Sequence, residues 1–196
     1  SDYKNYIERK LRYKDHTLSK EKEEILASMG ELSQLTYNDF YNLSYADMTF
    51  PEMETTDIPL NQANYSKLMT NKDRKVREEA FRKMYTVYGN YKNTFGSALY
   101  GNIKFNQTIA RIKKYSSARE MALFSDEVST EVYDGLIQSI YNHLPSFQRY
   151  YKIRAKRLNI QDPSMIDVYA PIIEYKEEIS FEQAKEMILE ALKPMG

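Results

Sequence analysis

The side chains able to carry proton transfer or metal chemistry are few and scattered. Asp134, Asp162, Asp167 and Glu174 have the right functional group for acid–base work, but their spacing sets them no higher than ordinary surface carboxylates. A metal centre needs several His, Asp, Glu or Cys side chains in compatible geometry. The two histidines, His16 and His143, lie far apart, and neither belongs to an HExxH pair. With no cysteine, thiolate zinc ribbons and cysteine nucleophiles are excluded. There is no GxxxxGK[ST], no GxGxxG after a strand and no GxSxG, so phosphate cradles and nucleophile elbows find no support. The stretch ARIKKYSSAREMALFS, residues 110–125, sets Arg111, Lys113, Lys114 and Arg119 around Tyr115. That is the composition of a nucleic-acid patch, whose binding would be steeply salt-dependent. The charge balance argues against it: Lys plus Arg number 28 and Asp plus Glu 28, so no long-range field draws a polyanion.

The elements that must position these residues are mainly helices. Tyr3, Tyr6, Ile7, Lys10 and Leu11 recur at helical spacing within residues 1–14, and Ser19 is the expected N-cap of KEKEEILASM. Gly30 ends or bends that helix, and the apolar pattern resumes through Leu32, Leu35, Phe40 and Leu43. Periodicity fails at residues 46–51, where a small β-hairpin is expected with TDIPL as its second arm. Asn61 or Asn64 caps a short helix over YSKLM, and Thr70 or Asn71 a longer one. The stripe from Val76 to Ile112 predicts a run of about 40 residues, roughly 60 Å long, with Gly89, Gly96 and Gly101 explained by close helix packing. The runs KEKEE and KDRKVREE read as solvated helix faces.

Local chemistry makes the 110–125 stretch a joint. Arg111 to Lys114 close one helix, where cations complement free carbonyls, and Ser117 with Glu120 has capping-box spacing for the next. A second joint at Ser125–Ser129 leads into a long helix that Pro145 should kink. LNIQDPSMIDVYAPI breaks the pattern, and Ser180 with Gln183 opens FEQAKEMILEAL. The 18 tyrosines read as amphipathic packing at helix contacts. A chain of 196 residues buries roughly 70% of the surface its unfolded form exposes, enough for a real core. The polar start SDYKNYIERK and the lack of any 18-residue apolar run predict neither signal peptide nor membrane span, and a cytoplasmic setting. Ser1 without methionine and the stop just after a helical pattern suggest a piece of something longer.

The order of YNDFYNLSYADMTFPEM, DRKVREEAF, the YSSAREMAL joint and YKIRAKRLNI followed by DVYAPI resembles oligoendopeptidase F, of the thimet-oligopeptidase-like zinc metallopeptidases. The resemblance implies a mostly helical, two-lobed protein around a deep channel that cleaves short peptides. It implies zinc held by the histidines of an HExxH helix and a glutamate on a following helix, the HExxH glutamate being the general base. Zinc so held lowers the pKa of its bound water to about 7 and polarises the peptide carbonyl. None of these residues has a counterpart here; the motif is expected beyond Gly196, so no catalytic, cofactor-binding or metal residue is assigned in this chain. The expected organisation is an N-terminal helical lobe over 1–116 and the start of the catalytic region over 117–196, the joint being a candidate hinge. Expected partners are short peptides and the remainder of the catalytic domain, with no nucleic acid and no membrane. The alternative is a stand-alone helical module whose groove takes a peptide or partner helix.

Overall fold

A computed structural model describes residues 3–173 and 179–195. Nine α-helices run through them: α1 Lys4–Arg12, α2 Lys20–Ser28, α3 Leu32–Asn42, α4 Gln62–Met69, α5 Arg74–Asn90, α6 Lys92–Ile112, α7 Ala118–Phe124, α8 Thr130–Arg157 and α9 Phe181–Leu192. Tyr13–His16 and Met165–Asp167 form 3₁₀ turns, and Leu43–Asp47 a single π turn that ends α3.

Most helix boundaries follow local side-chain chemistry. The Asn61 side chain accepts from the Asn64 amide at 2.8 Å and starts α4. Ser180 and Gln183 exchange both capping-box bonds, at 3.3 and 2.9 Å. Ser19 stands at the N-cap of α2 without a side-chain cap bond, and Gly30 separates α2 from α3. For α5 the cap is neither Thr70 nor Asn71. Asp73 accepts from the Lys75 amide at 2.9 Å, while Asn71 accepts from the Asp73 amide at 2.9 Å and fixes the turn before it.

Two further expectations fail. The long stripe is two helices that meet at Tyr91, whose backbone leaves the helical well at φ −105°, ψ 11°. Gly89, next to that break, gives the last turn of α5 little intrinsic support, and Tyr88 and Phe95 stack across the break with centroids 5.4 Å apart. Close packing accounts for one glycine of the three: a Cβ on Gly101 would lie 2.9 Å from Thr36 Cγ2, where α6 crosses α3, whereas Gly89 and Gly96 have open space. The hairpin over 46–60 is also absent, for no strand occurs among the described residues. Pro51 and Pro59 remove ladder donors from this segment. Two of its amides find a side chain instead: Glu54 and Thr55 donate N–H to Glu79 at 2.8 and 3.0 Å.

The core lies under that segment. Leu60, Leu68, Met69, Val76, Ala80, Met84 and Ile166 are buried together, and Phe50, Met53, Ile58 and Phe81 pack around them. It therefore joins α4 and α5 to the distant 3₁₀ turn at 165–167. α8 runs on through Pro145, whose missing N–H leaves the Tyr141 carbonyl without its helical donor. Val132, Leu136, Ile140 and Phe147 on α8 are exposed, as is Phe181 at the start of α9.

Candidate functional site

The charged residues of KDRKVREE build two buried centres on α5, which corrects the reading of this run as a solvated face. Arg77 is 2% exposed and donates to the carbonyls of Asn71, Lys72 and Ile166 at 2.8, 3.0 and 2.9 Å. It also donates to Asp167 Oδ1 at 2.9 Å. Arg74 reaches both oxygens of the same carboxylate, at 3.1 and 3.3 Å, and the Asp162 carbonyl at 3.3 Å. Asp167, at 5% exposure, is thus no surface carboxylate. Its Oδ2 also accepts the Ser164 amide at 3.0 Å, closing a capping box on the 3₁₀ turn. Burial pushes its pKa up, but donors from Arg74, Ser164 and Arg77 outweigh burial and hold it below the usual range. An acid so fixed in its ionised form is an anchor and not a proton carrier.

The second centre is Glu79. Besides the Glu54 and Thr55 amides it accepts the Thr55 hydroxyl at 2.6 Å and pairs with Lys83 at 2.5 Å, four residues along α5. Burial opposes its charge, yet Lys83, Thr55 and the two amides bring its pKa down to about 2. Lys83 also donates to the Glu52 carbonyl at 2.6 Å, so the loop is held to α5 at Glu52, Glu54 and Thr55.

At 110–129 the joint is present, and its basic residues are dispersed. α6 ends at Ile112, Lys114 turns the chain with φ 63°, and the Ser117 hydroxyl accepts from the Glu120 amide at 3.0 Å to start α7. The reciprocal bond shifts by one residue: Glu120 accepts from the Ser116 amide and hydroxyl, both at 2.6 Å. Lys113 pairs with Glu23 at 3.2 Å and Arg119 with Asp134 at 2.7 Å. Tyr115 is buried, stacked at 3.6 Å on His16, with Phe124 edge-on to both rings. A nucleobase has no free ring to stack on here. His16 Nδ1 also bonds the Lys113 carbonyl at 2.9 Å, and Arg9 and Arg12 meet Glu127 at 2.7 and 3.1 Å, which ties α1 to the joint.

The remaining candidates stay apart. His143 bonds the Ser139 carbonyl of its own helix at 2.6 Å and is exposed on α8. Asp134 serves Arg119, Asp162 contributes its carbonyl to Arg74, and Glu174 lies outside the described residues. Among the described residues no three His, Cys, Asp or Glu side chains gather as metal ligands.

What sequence reading missed is a belt of exposed or half-buried tyrosines. Between α3 and α6 a hollow of about 540 Å³ is lined by Tyr37, Phe40, Tyr88, Phe95 and Leu99. Tyr88 also lines a neighbouring hollow of about 350 Å³ with Tyr45, Gln62, Tyr65 and Tyr85. Tyr41 and Tyr45 stack at 4.8 Å along the same edge. Burial pushes the Tyr65 hydroxyl up to about 12, and Tyr85 and Tyr169 nearby add to it. Tyr169 in turn lines a third cavity, of about 520 Å³, between the end of α8 and the 163–169 turn. The i, i+4, i+8 spacing of Tyr37, Tyr41 and Tyr45 was the available signal.

Residues 1–50 match the family described as Oligopeptidase F, and residues 67–192 match Peptidase family M3. Oligopeptidase PepF of Bacillus subtilis is 35% identical over 99% of this chain and 30% of its own length. The group B oligopeptidase PepB of Streptococcus agalactiae is 34% identical over 99% of this chain and 33% of its own. The crystal structure of oligoendopeptidase-F from Enterococcus faecium superposes with a TM-score of 0.83 at 36% identity, covering 99% of this chain and 37% of that one. The chain thus spans about a third of the length of the relatives it matches. The end-to-end, collinear match of sequence and fold places the chain in peptidase family M3.

Proposed function

We propose that this chain is part of a zinc-dependent oligoendopeptidase that hydrolyses short peptides in a deep channel, and that it forms wall and lid of that channel without supplying the zinc ligands. The observation that carries this reading is the match over 99% of the chain to a third of peptidases named for action on oligopeptides. The tyrosine belt supports the wall. Aromatic rings that keep a polar tip suit an extended peptide, whose backbone and side chains alternate polar and apolar contacts. Support for a separate site comes from the scattered histidines: His16 is engaged by Lys113 and Tyr115, and His143 by Ser139. Zinc chemistry would require an HExxH helix and a further glutamate from elsewhere in the polypeptide; the absence of cysteine fits a reducing, cytoplasmic setting for it. The division at residue 116 between lobe and catalytic region is part of the same proposal, and the joint there is its hinge.

The test is expression of the reading frame extended beyond Gly196. The extended protein is expected to bind one zinc, to cleave short peptides and to lose that activity on chelation. An extended frame without HExxH, or one that hydrolyses no peptide with zinc bound, refutes the reading.

A further inference from the structure

The cavity between the end of α8 and the 163–169 turn holds an arginine that meets no carboxylate among the described residues. Arg154 lines it together with Tyr151, Leu158, Met165 and Tyr169. A guanidinium has five N–H donors. One of Arg154's is taken by the Ala170 carbonyl at 2.5 Å and one by the Tyr150 hydroxyl at 3.2 Å. Its Nε–H is sealed from solvent and has no acceptor among the described residues. Arg74 and Arg77, on the other side of the same turn, each hold Asp167. Asp167 is the carboxylate lining this cavity among the described residues, and those two arginines consume it. Three guanidiniums therefore surround the turn, two of them neutralising one acid, and the third faces an otherwise largely apolar hollow.

A cation in such surroundings is under-solvated, and the ligand that best matches its planar donors is a carboxylate. We propose that this cavity is a carboxylate-binding site with Arg154 as its cationic anchor and Tyr151 and Tyr169 as its walls. The volume of about 520 Å³ admits the end of a peptide as readily as a single acidic side chain. Both sources share the same chemistry, and the experiment separates them. The proposal rests on the cavity and is independent of peptide hydrolysis.

The sealed Nε–H is the reporter, because slow exchange keeps its signal observable by ¹H–¹⁵N NMR of the arginine-labelled chain. Sodium acetate is titrated against acetamide at constant ionic strength, followed by an N-acetylated dialanine with a free C-terminus against the same peptide amidated. Acetate is expected to move the Arg154 signal and acetamide to leave it in place. The free acid should bind about tenfold more tightly than the amide if a peptide terminus is the source. Movement with acetate but with neither peptide would uphold the carboxylate site and assign it to a single side chain. In the uniformly ¹⁵N-labelled protein the Tyr169 backbone amide serves as a second reporter that acetate should also move; read there, Arg154→Gln should abolish the acetate response and Arg154→Lys should weaken it. An unmoved signal in acetate, an equal response to acetamide, or an acetate response that survives in Arg154→Gln would overturn the proposal.

Discussion

Arg77 and Asp167 show how a few side chains hold residues 71–77 against residues 162–170. Removing Asp167 leaves Arg77 charged in the interior, and breaking a buried pair of this kind costs about 3 kcal/mol, whereas removing Arg77 leaves Asp167 still held by Arg74 and the Ser164 amide. Asp167→Asn should lower stability to urea by that amount and Arg77→Met by less, and adding Arg77→Met to Asp167→Asn should recover part of the loss, because it removes the charge left in the interior. Glu79 gives a pH signature. Its folded-state carboxyl titrates at about 2 against an ordinary 4.5, so its stabilisation is complete above about pH 4.5 and is lost as acid takes the pH down towards 2. In Glu79→Gln the part of the acid transition that falls in that window should disappear, as read by circular dichroism across a pH series. Neither centre was legible in the sequence. DRKVREE alternates charge as solvated helices do, and only the extended loop and the far 3₁₀ turn, both long-range partners, decide that Arg77 and Glu79 face inward.

Among the elements, helices with their own signals were readable and those that depend on distant contacts were not. Asn61, Ser117 and Ser180 are caps whose partners lie three residues away, so spacing alone locates them. The break at Tyr91 follows from ring stacking and the hairpin's absence from capture of its amides by Glu79, which period and propensity do not encode. Glycines test the geometry of α6. Gly96→Ala, in open space inside the helix, should stabilise the chain by about 1 kcal/mol. Gly101→Ala must push Thr36 away from a 2.9 Å contact and should destabilise by about 1 kcal/mol despite the same gain in propensity. Thermal denaturation of the two variants should move in opposite directions.

For the molecule as a whole, the main buried cluster joins α4, α5, the loop before them and the 165–167 turn, while α8 and α9 leave apolar faces in solvent. Opening free energies should follow that division. Amides in the middle of α8 are expected to exchange hydrogen much faster than those of α5 around Ala80, and equal protection in both would contradict this distribution of packing. Under the proposed reading, the same exposed faces are where further polypeptide would pack. The family was legible from the order of motifs along the chain; the tyrosine belt and the Arg154 that meets no carboxylate among the described residues became visible only when distant elements came together. The most direct test of the central claim is zinc content and peptide cleavage in the extended reading frame and in the 196-residue chain, measured side by side. One zinc and chelator-sensitive cleavage in the extended protein, with neither in the shorter chain, is the predicted result. Zinc-dependent cleavage by the shorter chain, or none by an extended protein with zinc bound, would contradict it.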